Sequence, residues 1–190
     1  MKTSILAIAL TAAGLVAVPA IGHAQDKGGF FINGQVGQAN LDKGVYDDDD
    51  TAYGVNLGYR WALNPAVALG VEGGYTDLGT FDPKSSARPV GRADLKGWTL
   101  GVNGHFNIND NWYLSGRGGL FRADMKGGYA GIEAPVYVDD TSNGWYTGVG
   151  FGYDFSNKAS VGLNYDYYKV DEKGLKLDPG VISVGAEVRF

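Results

Sequence analysis

The feature that most constrains this chain is a strict alternation of apolar side chains with small, polar or charged ones. An extended strand points successive side chains to opposite faces, so a period of two predicts β-strands with one apolar face. Eight segments follow this rule. They cover residues 30–37, 51–61, 67–76, 97–106, 112–121, 145–155, 159–168 and 182–190. The chain is therefore predicted to be all-β.

Every charge inside these segments falls on one face of its strand. The residues concerned are Arg60, Glu72, Arg117, Asp154, Asp166, Glu187 and Arg189. The opposite face is apolar and is flanked by aromatic residues such as Trp61, Trp98, Trp112 and Trp145, which suit the two membrane interfaces. A soluble sandwich would need a core, and the Gly-, Ser- and Asn-rich face is too small and polar to form one. The pattern predicts an eight-stranded antiparallel up-and-down transmembrane β-barrel.

The connections between the segments alternate in length. Three are short, at residues 62–65, 107–111 and 156–157, and four are long, at 40–50, 77–95, 122–143 and 169–179. In membrane barrels the short turns face the periplasm and the long loops face outward. We therefore expect both ends of the barrel domain in the periplasm, and no second domain.

Residues 1–24 are expected to be a cleaved signal peptide, which leaves residues 25–190 as the barrel domain. Lys2 precedes an apolar run, and Gly22-His23-Ala24 places small residues at the positions that a signal peptidase reads. Cleavage after Ala20 is an alternative. A transmembrane helix is disfavoured because the run is shorter than about 20 residues and is interrupted by Pro19.

Composition excludes several classes of protein. Without Lys2 the chain has 15 basic and 21 acidic residues, a net charge of −6, so nucleic acid is not an expected partner. The chain has no Cys, so an exported domain of this size must be stable without disulfides. The 31 Gly residues alternate with aromatic ones (4 Trp, 12 Tyr and 8 Phe), which disordered chains lack.

Three motifs suggest a family. They are Gly70-Val71-Glu72-Gly73-Gly74-Tyr75, Arg122-Ala123-Asp124-Met125-Lys126 and Ile182-Ser183-Val184-Gly185-Ala186-Glu187-Val188-Arg189-Phe190. In this order they resemble the OmpA-type transmembrane barrel domain, whose architecture the OmpX- and Ail-type barrels share. The resemblance implies a monomer in the outer membrane of a Gram-negative bacterium, in contact with membrane lipids and lipopolysaccharide. It also implies that Phe190 is an assembly signal read by the barrel-assembly machinery.

The lumen is predicted to hold a charge cluster of Arg60, Glu72 and Arg117. The resemblance implies an ion-pair gate whose glutamate corresponds to Glu72, but its other members align with Asn103, Gly152 and Gly162, so that gate is not expected here. Because an unpaired charge in a dry interior costs about 3–5 kcal/mol, Glu72 is expected to contact at least one of the two arginines.

No catalytic, cofactor or metal site is expected. His105 lies beside a short turn, away from the outer leaflet where lipid chemistry would need a base, and is interpreted as a structural lumen residue. Gly148, Gly150 and Gly152 lack the following helix of a dinucleotide site and are interpreted as small lumenal residues. The run Asp47-Asp48-Asp49-Asp50 is interpreted as a solvated loop, with weak binding of divalent cations as the alternative.

Two functions are compatible with this pattern. The first is a structural and surface-interaction role, in which the barrel supports the membrane and displays its loops for adhesion or defence. The alternative is a narrow or gated pore for ions and small solutes. An eight-stranded barrel is just wide enough to be filled by side chains, which argues against free diffusion.

Overall fold

A computed structural model describes residues 28–43, 46–81, 90–130, 135–172 and 175–190. In chain order their strands are β1 (Gly29–Lys43), β2 (Tyr46–Asn64), β3 (Val67–Phe81), β4 (Val90–Asn107), β5 (Trp112–Ala130), β6 (Pro135–Ser156), β7 (Ala159–Glu172), β8 (Leu175–Leu177) and β9 (Gly180–Arg189). The expected signal peptide, residues 1–24, lies outside the described residues. In the described ranges there is no helix of the length and apolarity needed to cross a bilayer.

The strands form one closed antiparallel sheet. From β1 to β7 each strand pairs with the next, β7 pairs with β9, and β9 returns to β1. The three-residue β8 pairs with the end of β7 and is separated from β9 by Asp178 and Pro179. Across the described ranges the wall therefore contains eight long strands. The predicted eight-stranded antiparallel up-and-down barrel is confirmed.

The two faces of the wall follow the sequence alternation. Along β9, Ser183, Glu187 and Arg189 are buried, whereas Ile182 is 60% exposed. The same holds on β4, where Leu100 and Val102 are exposed and Asn103 is buried. Because a closed barrel satisfies every strand edge internally, such a wall can present its apolar face to lipid.

The three short turns are confirmed, but the prediction of four long loops is largely wrong. The ladder of β5 and β6, for example, runs from Trp112 and Tyr153 up to Ala130 and Pro135. Most of residues 40–50, 77–95, 122–143 and 169–179 is likewise strand. A strand needs only about 9–11 residues to cross the hydrocarbon, so these strands project beyond it. There the outer face meets water instead of lipid, so it tolerates polar side chains, and the ladder continues beyond the lipid-facing pattern.

The inner face changes character toward this projecting end. Ten buried residues form an apolar cluster there: Ala39, Ala52, Leu78, Leu95, Phe121, Ala123, Tyr146, Tyr168, Val170 and Val181. The Phe121 and Tyr168 rings meet edge to face with centroids 5.0 Å apart. We call this group the outer apolar cluster. Several of its members lie in segments that the sequence pattern assigned to loops, which is why the cluster was not predicted.

Candidate functional site in the barrel lumen

Arg60, Glu72 and Arg117 all line one cavity inside the barrel. Each occupies an inward position of its strand, β2, β3 and β5 respectively, as the alternation predicted. The cavity has a volume of about 40 Å³. At about 10–15 Å³ for each water, this is space for about three water molecules.

Arg60 belongs to a charged layer toward the short-turn end of the barrel. Its guanidinium donates two hydrogen bonds to the Glu187 carboxylate, at 2.6 and 2.9 Å, and its Nε donates to Asn103 Oδ1 at 2.6 Å. The guanidinium carbon lies 4.1 Å from the centre of the Phe31 ring. Two-point pairing of this kind fixes the arginine in one orientation.

Arg189 extends the same layer to the next carboxylate. Its Nε donates to Glu187 Oε1 at 2.8 Å, and its Nη2 donates to Asp154 Oδ1 at 2.8 Å and to Ser160 Oγ at 3.1 Å. The other Asp154 oxygen lies 3.2 Å from His105 Nε2. Positive and negative groups therefore alternate through this part of the lumen, which is how buried charges are tolerated.

Arg117, which lines the cavity, forms a separate ion pair with Asp166. Its Nε donates to Asp166 Oδ1 at 2.7 Å, its Nη2 donates to the other Asp166 oxygen, and Nη2 also donates to Gln35 Oε1 at 2.8 Å. The Asp166 side chain is only 1% exposed. Arg117 is therefore the cation that is paired with this buried carboxylate.

The expected contact between Glu72 and an arginine is wrong. In the described ranges no ion pair joins Glu72 to either arginine; instead the Tyr146 hydroxyl donates to Glu72 Oε1 at 2.8 Å. The two guanidinium groups are oriented by other carboxylates, so neither is directed at Glu72. Inward direction can be predicted from a period of two, but partners across a lumen depend on how the barrel closes.

Glycines determine which of these partners can meet. Arg117 lies opposite Gly148, which lies opposite Asp166, so the pair is formed across one intervening strand. A Cβ on Gly148 would collide with Asp166 Oδ1. A side chain at this position would block the pair, and the glycine is required by the ion pair that passes over it.

The hydrogen bond to Glu72 crosses two such glycines. Glu72 lies opposite Gly101, Gly101 opposite Gly119, and Gly119 opposite Tyr146. A Cβ on Gly101 would lie 2.5 Å from the Tyr146 hydroxyl oxygen. Tyr146 was not among the predicted site residues, although counting positions along the paired strands would have placed it in the Glu72 row.

Two further positions singled out from the sequence, His105 and Phe190, lie on opposite faces of the barrel wall. His105 is buried, and its ring stacks on Tyr113 with centroids 4.0 Å apart. Phe190 is 60% exposed on the outer face, and its backbone N–H donates to Phe30 O at 2.9 Å.

The acidic run is described only in part. The side chains of residues 47–49 lie outside the described residues. The Asp50 carboxylate accepts hydrogen bonds from the backbone of Thr51 and Thr80, both at 2.7 Å. Among the side chains that the structure describes, no group of three or more acidic or His residues is placed to hold a metal ion.

Comparison with known proteins agrees with this architecture. The family model for the outer membrane protein β-barrel domain matches residues 7–190. Outer membrane protein P5 of Haemophilus influenzae is 24% identical over 210 residues, which cover 97% of this chain and 59% of P5. For P5 of strain Rd the identity is 28% over 132 residues, covering 63% of this chain and 37% of P5. The chain thus spans only part of the length of these relatives.

Solved structures show the same fold. The attachment invasion locus protein Ail of Yersinia pestis has a TM-score of 0.60 and 21% identity, covering 86% of this chain and 99% of Ail. Neisserial surface protein A also has a TM-score of 0.60, with 16% identity and coverage of 85% and 97%. At these identities the likeness concerns the fold alone.

Proposed function

We propose that this chain is a non-conducting barrel with a structural and surface-interaction role. The chain belongs to the outer membrane protein β-barrel domain family and is an outer-membrane protein of the OmpA and Ail type. The observation that supports this role is the filled lumen. A charged layer occupies the short-turn end, and the outer apolar cluster occupies the other. A closed barrel whose strands are joined across the lumen by ion pairs and hydrogen bonds is suited to support a membrane and to hold projecting strands in a fixed orientation.

The alternative, a pore, is less well supported. The cavity between the two layers is only about 40 Å³ and is lined by Arg60, Glu72 and Arg117. These three side chains bind Glu187, Tyr146 and Asp166, respectively, through hydrogen bonds. An ion would have to pass the outer apolar cluster, where it would lose hydration without gaining ligands. The lumen therefore favours a plugged barrel.

The surface role is assigned to the projecting hairpins. Strands of 18 to 22 residues, such as β4, β5 and β6, extend well beyond the 9–11 residues or so that cross the hydrocarbon. The related Ail was crystallised with a heparin analogue, sucrose octasulfate. We infer that the outer hairpins of this chain contact surface molecules, including lipopolysaccharide, while the barrel itself is a monomer without enzymatic activity.

Complementation of a deletion strain separates the two parts of this role. The wild-type chain is compared with a variant in which the connecting segments 82–89 and 131–134 are replaced by Gly-Ser linkers of equal length. We expect both to restore resistance to detergents, and only the wild type to restore surface attachment. Loss of detergent resistance in the linker variant, shown to be folded by its heat-dependent gel mobility, would contradict the structural part.

We further propose that Phe190 is an assembly signal for the barrel-assembly machinery, following export directed by residues 1–24. Phe190→Ala is expected to leave less folded barrel in the outer membrane and more chain in the periplasm. Phe155→Ala is the matched control, since Phe155 is 66% exposed and, like Phe190 at 60%, lies at the short-turn end.

The readout is the folded fraction in membrane extracts, together with refolding of both variants into detergent. Refolding in detergent does not involve the assembly machinery, so it should be equal for the two variants. Equal insertion in cells would exclude an assembly role, and poor refolding of Phe190→Ala alone would indicate a stability effect instead.

A further inference from the structure

The lipid-facing wall contains a groove centred on Gly73. Outward residues of neighbouring strands form rows, and one row places Ile32 opposite Leu57, Leu57 opposite Gly73, and Gly73 opposite Leu100. Three of these four positions carry a large aliphatic side chain. Gly73 is the gap in the row.

The groove is bounded by a second row and by the end of the last strand. Phe30, Tyr59 and Val71 form the next row, about 7 Å away along the strands. The groove is open on its lipid side and has a volume of about 590 Å³, comparable with the volume of about 300–1,000 Å³ of small-ligand sites. The lining is almost wholly aliphatic and aromatic, and Phe190 contributes to it.

The packing of the barrel does not itself fill this position. A Cβ on Gly73 would have as its nearest neighbours Thr99 O at 3.7 Å and a Leu100 methyl carbon at 4.0 Å, which are ordinary contacts. The lumenal Gly101 differs, since a Cβ there would overlap the Tyr146 hydroxyl. A side chain at Gly73 would be tolerated, so the floor of the groove is open to a molecule from outside the barrel.

The groove extends from Phe30 and Phe190, at the periplasmic end of the wall, to Gly73 and Leu100 near the middle of the membrane-crossing segments. Phe30, Tyr59 and Trp61 form a ladder of edge-to-face rings with centroids 4.8 and 5.1 Å apart. Trp61 lies three residues before the end of β2, at a short turn. Because short turns face the periplasm, the Phe30 end of the groove opens to the leaflet on that side, and an acyl chain entering there would run toward the middle of the bilayer.

We propose that this groove binds one acyl chain of a phospholipid in the periplasmic leaflet. The wall around it is immersed in hydrocarbon, so a void would forfeit dispersion contacts that an acyl chain can supply. Phe30 and Leu100, both 66% exposed, project on either side of the recessed Gly73. A slender, flexible chain can enter between them, whereas the convex wall of a second barrel cannot follow the recess.

Retention of lipid by the purified protein tests this site. The chain is folded into phosphatidylethanolamine vesicles, transferred to a mild detergent, and the bound phosphatidylethanolamine is counted by native mass spectrometry. We expect one lipid on the wild type and about fivefold lower occupancy on Gly73→Leu. The added leucine would fill the floor of the groove, and the acyl chain would lose packing contacts comparable with those lost at a methyl-sized cavity. Gly34→Leu is the matched control, because Gly34 also faces outward and a Cβ there meets nothing within 4 Å.

A second pair of variants covers the case in which Gly73→Leu folds poorly. Leu100→Ala removes one wall of the groove and should also lower retention, whereas Leu163→Ala, at an exposed leucine on β7, should not. Equal retention by Leu100→Ala and Leu163→Ala, or by Gly73→Leu and Gly34→Leu, would overturn the proposal. So would a dimer that Gly73→Leu abolishes, since the occupant would then be a second copy. The assay involves neither conduction nor surface attachment, so its result is independent of the proposed function.

Discussion

Replacing Arg117 by Met is expected to lower the free energy of unfolding by about 3–5 kcal/mol, because it leaves the Asp166 charge buried without its partner. Asp166 accepts two hydrogen bonds from this one guanidinium and is 1% exposed. Gln35 would lose its donor as well. The measurement is urea-induced unfolding of the barrel in lipid vesicles, followed by tryptophan fluorescence and by gel mobility.

Arg122→Met is the control for loss of a positive charge on the same strand, because Arg122 is exposed. Its effect should be small, as exposed charges contribute at most about 1 kcal/mol. The double variant Arg117→Met with Asp166→Leu should recover part of the lost stability, since no charge is then left unpaired. Equal stability of Arg117→Met and the wild type would mean that Asp166 is solvated or otherwise paired, and the lumen would not be packed as described.

Replacing Val71 by Arg should be nearly as damaging, for a different physical reason. Val71 is 47% exposed and faces lipid, in the middle of residues 67–76, the part of β3 that the sequence pattern assigned to the membrane. An arginine on the lipid face near the bilayer midplane costs about 2–4 kcal/mol. We expect a lower free energy of unfolding and less inserted protein, measured by the same unfolding assay and by the folded fraction in membranes.

Val71→Leu is the matched control, since it changes size at the same position without adding charge. Glu72→Ala, one residue away, provides the comparison with the other face. It removes the acceptor of the Tyr146 hydroxyl and should leave insertion intact while weakening the lumen. A harmless Val71→Arg together with a Glu72→Ala that blocks insertion would reverse the inside and outside of β3.

The fold could be predicted because its main determinant is local. A period of two sets the face of each residue, as on β9, where Ile182 is exposed and Ser183 is buried. The short turns follow from the same pattern. The extent of the strands could not be predicted in this way, because beyond the membrane a ladder such as that of residues 122–130 with 135–143 continues without apolar alternation.

The lumenal pairs depend on a different property, the relative shift of the strands when the sheet closes. Arg60 was correctly placed inside, but its carboxylate is Glu187 on β9, with β1 between them. Glu72 was also placed inside, but its partner Tyr146 lies three strands away. The glycines of the lumen have a physical explanation that composition alone does not provide, because they let such partners reach across intervening strands.

Single-channel recording in planar bilayers tests the central claim, that the lumen is closed, most directly. The wild-type chain is first shown to be folded by its heat-dependent gel mobility, and the same preparation is then added to the bilayer. The filled lumen, with a cavity of about 40 Å³ between the charged layer and the outer apolar cluster, predicts insertion without stepwise current. Reproducible conductance steps from folded protein, absent after heat denaturation, would contradict a closed lumen and favour the pore.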